Sequence, residues 1–179
     1  MKKVFLFLVF VFSFAIASGG WLPDTVLAPE RQEEGMPCWY LPLNNAHPVR
    51  CTPAGDLVLG WSEFYYAHFD AFMRVYSDGQ WGAPQRVSRD QYSYAFRAGF
   101  PSVATIGDSA FIVWDDMRDL FTHRIYCRAY LRDSLGFFYW TGIECLTPED
   151  GVNALLPSMC RVGDGLYVCL LYTSPSPRD

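Results

Sequence analysis

The densest set of side chains able to act together is Asp115, Asp116, Arg118 and Asp119, four charged groups within five residues at the end of an apolar run. A guanidinium presents a planar fork of donors that matches a carboxylate or a sugar acid, so Arg118 with Asp115 and Asp116 forms the candidate binding cluster. The same residues also suit an internal ion pair that fixes a loop. His47, His68 and His123 are scattered and read as exposed loop residues. The six cysteines include no C-x-x-C, and no metal is expected. Lys2 and Lys3 are the only lysines, which excludes a P-loop lysine or a Schiff base in the body of the chain. No catalytic residue, cofactor or metal is therefore assigned. The net charge of −5 argues against a nucleic-acid partner, which calls for a basic stripe.

These groups need a scaffold, and both ends of the chain must be set aside before reading it. The 179 residues are 51% hydrophobic, 17% aromatic and 18% charged, the balance of a chain that forms a core. Residues 1–18 place two lysines before the apolar run Val4 to Ile16, with small residues after it. That is the layout of a secretory signal peptide, and the run is too short for a membrane span of about 20 residues. Export to the cell surface or beyond is expected, with no membrane span after cleavage. Residues 169–179, CLLYTSPSPRD, match the translation of a transposon-type sequencing adapter and are expected to carry no biology.

Between the ends the sequence repeats itself. Asn44 to Glu63, Ala98 to Asp116 and Asn153 to Val168 align, with Pro48, Pro101 and Pro157 spaced 53 and 56 residues apart. Trp61 and Trp114 lie 53 apart, Trp81 and Trp140 lie 59 apart, and Gly55-Asp56, Gly107-Asp108 and Gly163-Asp164 mark equivalent turns. Within one period the pattern is β. Ser102 to Ile106 predicts a strand, Gly107 to Ser109 a turn, and the apolar run Ala110 to Trp114 a strand buried on both faces. Asp115 to His123 reads as a polar loop, Arg124 to Tyr130 as an alternating strand, Arg132 to Gly136 as a turn and Phe137 to Leu146 as a fourth strand. Four short antiparallel strands per period, repeated, predict an all-β chain built as the blades of a β-propeller. The expected division is a lead-in at 19–43, one blade at 44–97, a second at 98–152 and a truncated third at 153–168.

The second period resembles the secreted bacterial repeat family related to sialidase-type (BNR or Asp-box) propellers. The matching positions are Trp114, Asp116 and Arg118, then Ile125, Tyr126 and Arg128, then Asp133 and Gly136, and Trp140. In the first period Trp61 is kept, while Ser77 to Trp81, with Asp78 and Gly79, is a compressed relative of the Asp-box; Glu63 to Phe72 lacks the Asp and Arg. A W-x-D-x-R string that recurs blade after blade implies a structural device for Asp116 and Arg118. Asp78, Gly79, Asp133 and Gly136 read as turn chemistry, and Trp61, Trp81, Trp114 and Trp140 as packing between blades. Trp21 and Trp39 stand outside the repeat as candidate sugar-stacking platforms. Cys51 and Cys160 fall where the second period has Ala104, and Cys127 where the family has Ala, so buried free thiols are expected; one disulfide through Cys38 or Cys145 is the alternative.

The resemblance implies a non-catalytic exported module that binds an extracellular glycan or surface protein, or serves as a scaffold. The alternative it implies is a glycoside hydrolase of the exo-sialidase type, with an arginine triad, a Tyr/Glu nucleophile pair and an Asp acid/base. The chain lacks the F-R-I-P-like motif that supplies the first arginine; the nearest string, Phe96 to Gly99, departs at its third and fourth positions.

Overall fold

In the computed structural model, residues 39–40, 48–65, 68–89 and 97–173 are described. They form antiparallel sheets, and no described residue is helical. The signal-like segment 1–18, His47, Trp21 and Cys38 lie outside the described residues, as do the side chains of Trp39 and His68.

The first sheet is centred on β3 (Leu57–Tyr65) and β4 (His68–Ser77), paired from Leu57↔Tyr76 to Tyr65↔His68. Two short strands, β1 (Trp39–Tyr40) and β2 (Val49–Cys51), share the free edge of β3. Two more, β5 (Gln80–Trp81) and β6 (Gln85–Arg86), share the far edge of β4. The second sheet has the same plan: β7 (Gly99–Ile106), β8 (Ser109–Asp116) and β9 (Arg124–Arg132), then β10 (Phe138–Trp140) and β11 (Glu144–Cys145) along the edge of β9. A hairpin follows, β12 (Asn153–Val162) with β13 (Gly165–Thr173). Its second strand includes residues 169–173, the first five of the stretch 169–179 set apart in the sequence.

The two sheets agree side chain by side chain. Trp61 stands opposite Phe72, and Trp114 opposite Tyr126, each as a stacked pair with centroids 5.6 and 6.4 Å apart. Trp81 packs on Tyr76 with Arg74 over its ring; Trp140 packs on Tyr130 with Arg128 over its ring. Arg74 Nε donates to the Gly82 carbonyl at 2.6 Å, and Arg128 Nε to the Thr141 carbonyl at 2.8 Å. At the far end the Ser88 hydroxyl accepts the Ala71 N–H at 3.0 Å, and the Thr147 hydroxyl accepts the Ile125 N–H at 3.1 Å. Equal spacing in sequence has produced equal geometry in space.

Strand alternation sends successive side chains to opposite faces, and here both faces are covered. From β8, Ala110, Ile112 and Trp114 join Val58, Ala71 and Met73 in the layer between the first and second sheets. Val113, from the intervening position, joins Ala104 and Ile125 against Ala154 and Met159 of the hairpin. Burying each of these Val and Ile side chains contributes roughly 1.5–3 kcal/mol. Gly60 sits where the first two sheets approach most closely: a Cβ there would meet Val103 Cγ1 at 2.9 Å.

Four sequence expectations are corrected. Asp115 and Asp116 do not open a loop, because β8 keeps pairing through Asp115↔Ile125 and Asp116↔Arg124, and both carboxylates find donors inside the protein. The fourth strand, expected over Phe137 to Leu146, is split in two; the Thr141 hydroxyl accepts the Ala129 N–H at 3.0 Å, so a side chain takes a ladder position. Strand β7 begins at Gly99 and passes through an irregularity before Ser102, where Phe100 has φ of 49° and Pro101, lacking an N–H, costs no ladder bond. Leu156 before Pro157 repeats this in the hairpin with φ of 55°. The cysteines are the fourth: Cys51, Cys145 and Cys160 are exposed, Cys127 is half-buried, and all four are free. Ala104 is buried because the hairpin covers it, whereas Cys160 pairs with exposed Tyr167 on the hairpin's outer face.

Candidate functional site

The chemistry-bearing residues gather at the end of the sheets where β8 leads into β9 and where the chain enters β7. Asp116 is 0% exposed. Its Oδ1 accepts the Arg97 N–H at 3.1 Å, and its Oδ2 accepts Arg118 Nε at 3.1 Å and a terminal guanidinium nitrogen at 2.8 Å. That guanidinium also donates to the Ser88 carbonyl of the first sheet and lies 4.0 Å over the Tyr126 ring. Arg118 is thus engaged on both edge and face. The cluster clamps the loop after β8 to the end of the first sheet. Burial pushes the Tyr126 hydroxyl up to about 12.

The first sheet lacks this motif but carries another buried carboxylate. Asp70 on β4 accepts the Ser88 hydroxyl at 3.0 Å and Arg89 Nε at 2.8 Å, with Arg86 Nε at 3.6 Å. Arg124 holds the matching position on β9 and bonds to Glu149 and the Thr147 carbonyl. The two copies keep an ion pair here and reverse its polarity. A single Asp in the apolar run His68 to Met73 was the available signal, and sequence reading passed over it.

Asp115 points the other way, toward the hairpin. Its Oδ2 accepts the Leu156 N–H at 3.1 Å, which satisfies the backbone at the left-handed residue, and its Oδ1 lies 3.6 Å from His123 Nδ1. That distance exceeds a hydrogen bond, so the attraction is electrostatic and requires the protonated ring. His123 is not a loose loop residue: its N–H donates to Asn153 Oδ1 at 2.8 Å and its carbonyl accepts the Ala154 N–H at 2.8 Å. In the same loop, the N–H of Thr122 above all, assisted by that of Phe121 and by the Arg124 charge, holds the Asp119 carboxyl below its ordinary value against a smaller effect of burial.

Asp115 and His123 line a cavity of about 300 Å³ together with Ser62, Phe69, Arg97 and the Gly99-Phe100 backbone turn. The Ser62 hydroxyl is buried and has no hydrogen-bond partner among the described residues. Ser62 is the counterpart of Asp115, and Phe100 is the counterpart of Leu156. Where the second sheet reaches its successor with a carboxylate, the first offers only a short hydroxyl, and the volume left over forms part of this cavity. An exposed guanidinium at Arg97, a hydroxyl and a carboxylate–imidazole pair can together hold a small polar ligand. Of the three residues proposed from sequence, only Asp115 reaches the cavity; Asp116 and Arg118 are locked beside it. Ser62 was legible from its alignment with Asp115, and His123 carried no local signal.

The remaining sequence candidates are distributed through the scaffold. Trp61 and Trp114 are buried, and Trp81 and Trp140 flank the layers as described. Asp78 and Gly79 turn β4 into β5 with φ of 51° and 78°, a hairpin turn that asks for two left-handed residues. Asp133 Oδ1 accepts the N–H groups of Leu135 and Phe137, with Gly136 at φ of 91°. Among the described residues no group of three or more metal-ligating side chains converges, and no helix is long and apolar enough to cross a membrane. Neither the family models, the curated proteins nor the solved structures include a match to this chain.

Proposed function

We propose that the chain is a stretch of an exported, sialidase-like β-propeller, in which the first two sheets are successive blades and the hairpin begins a third. Its role in this reading is non-catalytic: it binds an extracellular glycan or surface protein, or acts as a scaffold. One observation carries the reading. The stacked Trp pair, the arginine over the outer Trp and the Ser or Thr clamp recur in both sheets, and each sheet turns the same face toward the next. Units related in this way stack in chain order, and propellers close such a series with about four to eight blades. The internal engagement of Asp116 and Arg118 favours the scaffold over the hydrolase, because the guanidinium already gives three of its donors to Asp116 and the Ser88 carbonyl and lays its face on Tyr126.

The test is turnover and binding by the purified full chain. No release of fluorophore from a sialoside, with retention on an immobilised glycan or cell surface, is the expected result. Turnover lost on substituting Arg97 or Asp115 would replace this reading with the hydrolase.

A further inference from the structure

The contact between the first and second sheets and the contact between the second sheet and the hairpin correspond residue by residue at the end where β8 leads into β9. In the second contact Asp115 Oδ2 accepts the Leu156 N–H at 3.1 Å and Asn153 Oδ1 accepts the His123 N–H at 2.8 Å. There the Ala154 N–H donates to the His123 carbonyl at 2.8 Å; in the first contact the Ala98 N–H donates to the Phe69 carbonyl at 3.0 Å, so the backbones share one register. Phe100 repeats the left-handed residue Leu156, with φ of 49° against 55°. Three side chains differ: Ser62 stands for Asp115, Phe69 for His123 and Arg97 for Asn153.

This exchange removes a carboxylate and brings in a cation. Ser62 is 1% exposed, and its hydroxyl, too short to do what Asp115 does, bonds to nothing among the described residues. The exposed Arg97 guanidinium has no hydrogen bond or ion pair among the described residues, while the Arg97 N–H is fixed by Asp116 at 3.1 Å. A buried hydroxyl, an unpaired guanidinium and the backbone donor that Asp115 meets in the second contact together suit a carboxylate. The other wall of the same cavity has the reverse demand. Asp115 Oδ1 faces His123 Nδ1 at 3.6 Å, beyond a hydrogen bond, and lies beside Gly99, where a Cβ would be 3.2 Å away. Gly99 and Phe100 are consecutive, so one small molecule spans both demands. Phe69 and Phe100 add apolar lining, and a cavity of about 300 Å³ holds a ligand of this size. We propose that the cavity binds a free aliphatic α-amino acid as its zwitterion. Its carboxylate lies on Arg97, the Ser62 hydroxyl and the Phe100 N–H, its ammonium on Asp115, and its side chain against Phe69 and Phe100. The ligand's carboxylate then takes the place that Asp115 fills from within the chain in the second contact. This site is independent of the glycan-binding reading.

The full chain is titrated calorimetrically with L-leucine, 4-methylpentanoate and isoamylamine, which carry both charges, the carboxylate alone and the ammonium alone. Leucine is expected to bind saturably, and each single-charge analogue at least about tenfold more weakly. Arg97→Met, at an exposed position, is expected to weaken leucine at least about tenfold with the melting temperature unchanged. Ser62→Asp supplies the carboxylate from the chain, and is expected to abolish leucine binding with a melting temperature equal to or above the parent's. Absence of leucine binding, equal binding of 4-methylpentanoate, or leucine binding that survives both variants would overturn the site. A fall in melting temperature for Ser62→Asp would overturn the correspondence between the two contacts. Retention on a glycan or cell surface, measured on the same samples, should not change in either variant, so its absence from the parent would remove the glycan reading and leave this one standing.

Discussion

Replacing Arg118 by Met removes a charge and keeps most of the side chain's length, and it separates a clamp from a ligand site. In the folded protein the guanidinium makes two bonds to Asp116 at 3.1 and 2.8 Å, one to the Ser88 carbonyl at 3.3 Å, and a face contact with Tyr126 at 4.0 Å. Its side chain is 14% exposed and that of Asp116 is 0% exposed, so water does not take over the lost partner. Stripping a buried carboxylate of its cation costs about 3–5 kcal/mol, and the ring contact adds on the order of 1 kcal/mol to what is lost. Domains of ordinary stability hold about 5–15 kcal/mol, so Arg118→Met should shift a urea midpoint far downward. The double variant Asp116→Asn/Arg118→Met leaves no buried charge, and exchanging a buried ion pair for neutral groups is often near neutral. It should recover at least about 2 kcal/mol relative to Arg118→Met alone. Urea melts at constant slope measure all three. If Arg118→Met falls within about 0.5 kcal/mol of the parent, or if the double variant is as unstable as the sum of the singles, the clamp is not what holds this end together and the cluster returns to being a candidate ligand site.

Three further outcomes are expected. Gly60→Ala should destabilise by about 1–2 kcal/mol, since its methyl meets Val103 Cγ1 at 2.9 Å, and Val103→Ala should remove most of that penalty in the pair; additive effects in the urea melts would refute the close approach of the two sheets. Burial raises the Tyr126 hydroxyl to about 12. The unfolded chain therefore loses this proton first, near its ordinary value of about 10, and stability should fall as pH rises from 10 toward 12, by an amount on the order of 2–3 kcal/mol; melts across that window with Tyr126→Phe as the reference should show a flatter profile in the variant. Burial, with the charge of Glu144 second, lifts the Cys127 thiol from an ordinary 9.0 to about 11, so its thiolate fraction near neutral pH is roughly a hundredfold lower. Mass spectrometry after brief alkylation should find Cys51, Cys145 and Cys160 modified and Cys127 untouched; rapid labelling of Cys127 would contradict its burial against the hairpin.

What could be read from the sequence was what is written locally. The Gly107-Asp108 and Asp78-Gly79 turns, the alternation in Arg124 to Tyr130 and the doubly apolar run Ala110 to Trp114 each depend on neighbours a few residues away, and each forms the element expected of it. The spacing of Trp61 and Trp114 also pointed to paired positions in two like sheets. The remainder depends on distant partners. Asp115 and Asp116 look like loop residues because, apart from Arg118 on Asp116, the donors that keep them inside are remote: the N–H groups of Leu156 and Arg97, which lie 41 and 19 residues away. Phe100 and Leu156, each followed by proline, read as extended residues, yet both take positive φ where the strand must bulge toward its neighbour. Cysteine polarity was equally uninformative, since Cys160 matches buried Ala104 in sequence and differs only in having no sheet over it among the described residues.

Comparing the copies separates scaffold from site. At Trp61 and Trp114, Arg74 and Arg128, Ser88 and Thr147, the two sheets place like chemistry in like positions, and every one of these contacts closes on the protein itself. A residue that recurs with its internal partner is explained by the repeat. The informative positions are those where one copy departs and a partner is left over. Ser62 stands where the pattern places Asp115, and its unpartnered hydroxyl faces a cavity instead of the next backbone N–H. Gly60 stands where the second sheet has Val113, which lets the first two sheets close on Val103 at that point. The first interface is therefore not a plain copy of the second: it is drawn tight at Gly60 and left open at the end that carries a hydroxyl, an arginine and a carboxylate–imidazole pair. Repetition built the sheets, and Ser62 and Gly60, where the first copy departs from the second, shape the interface between them.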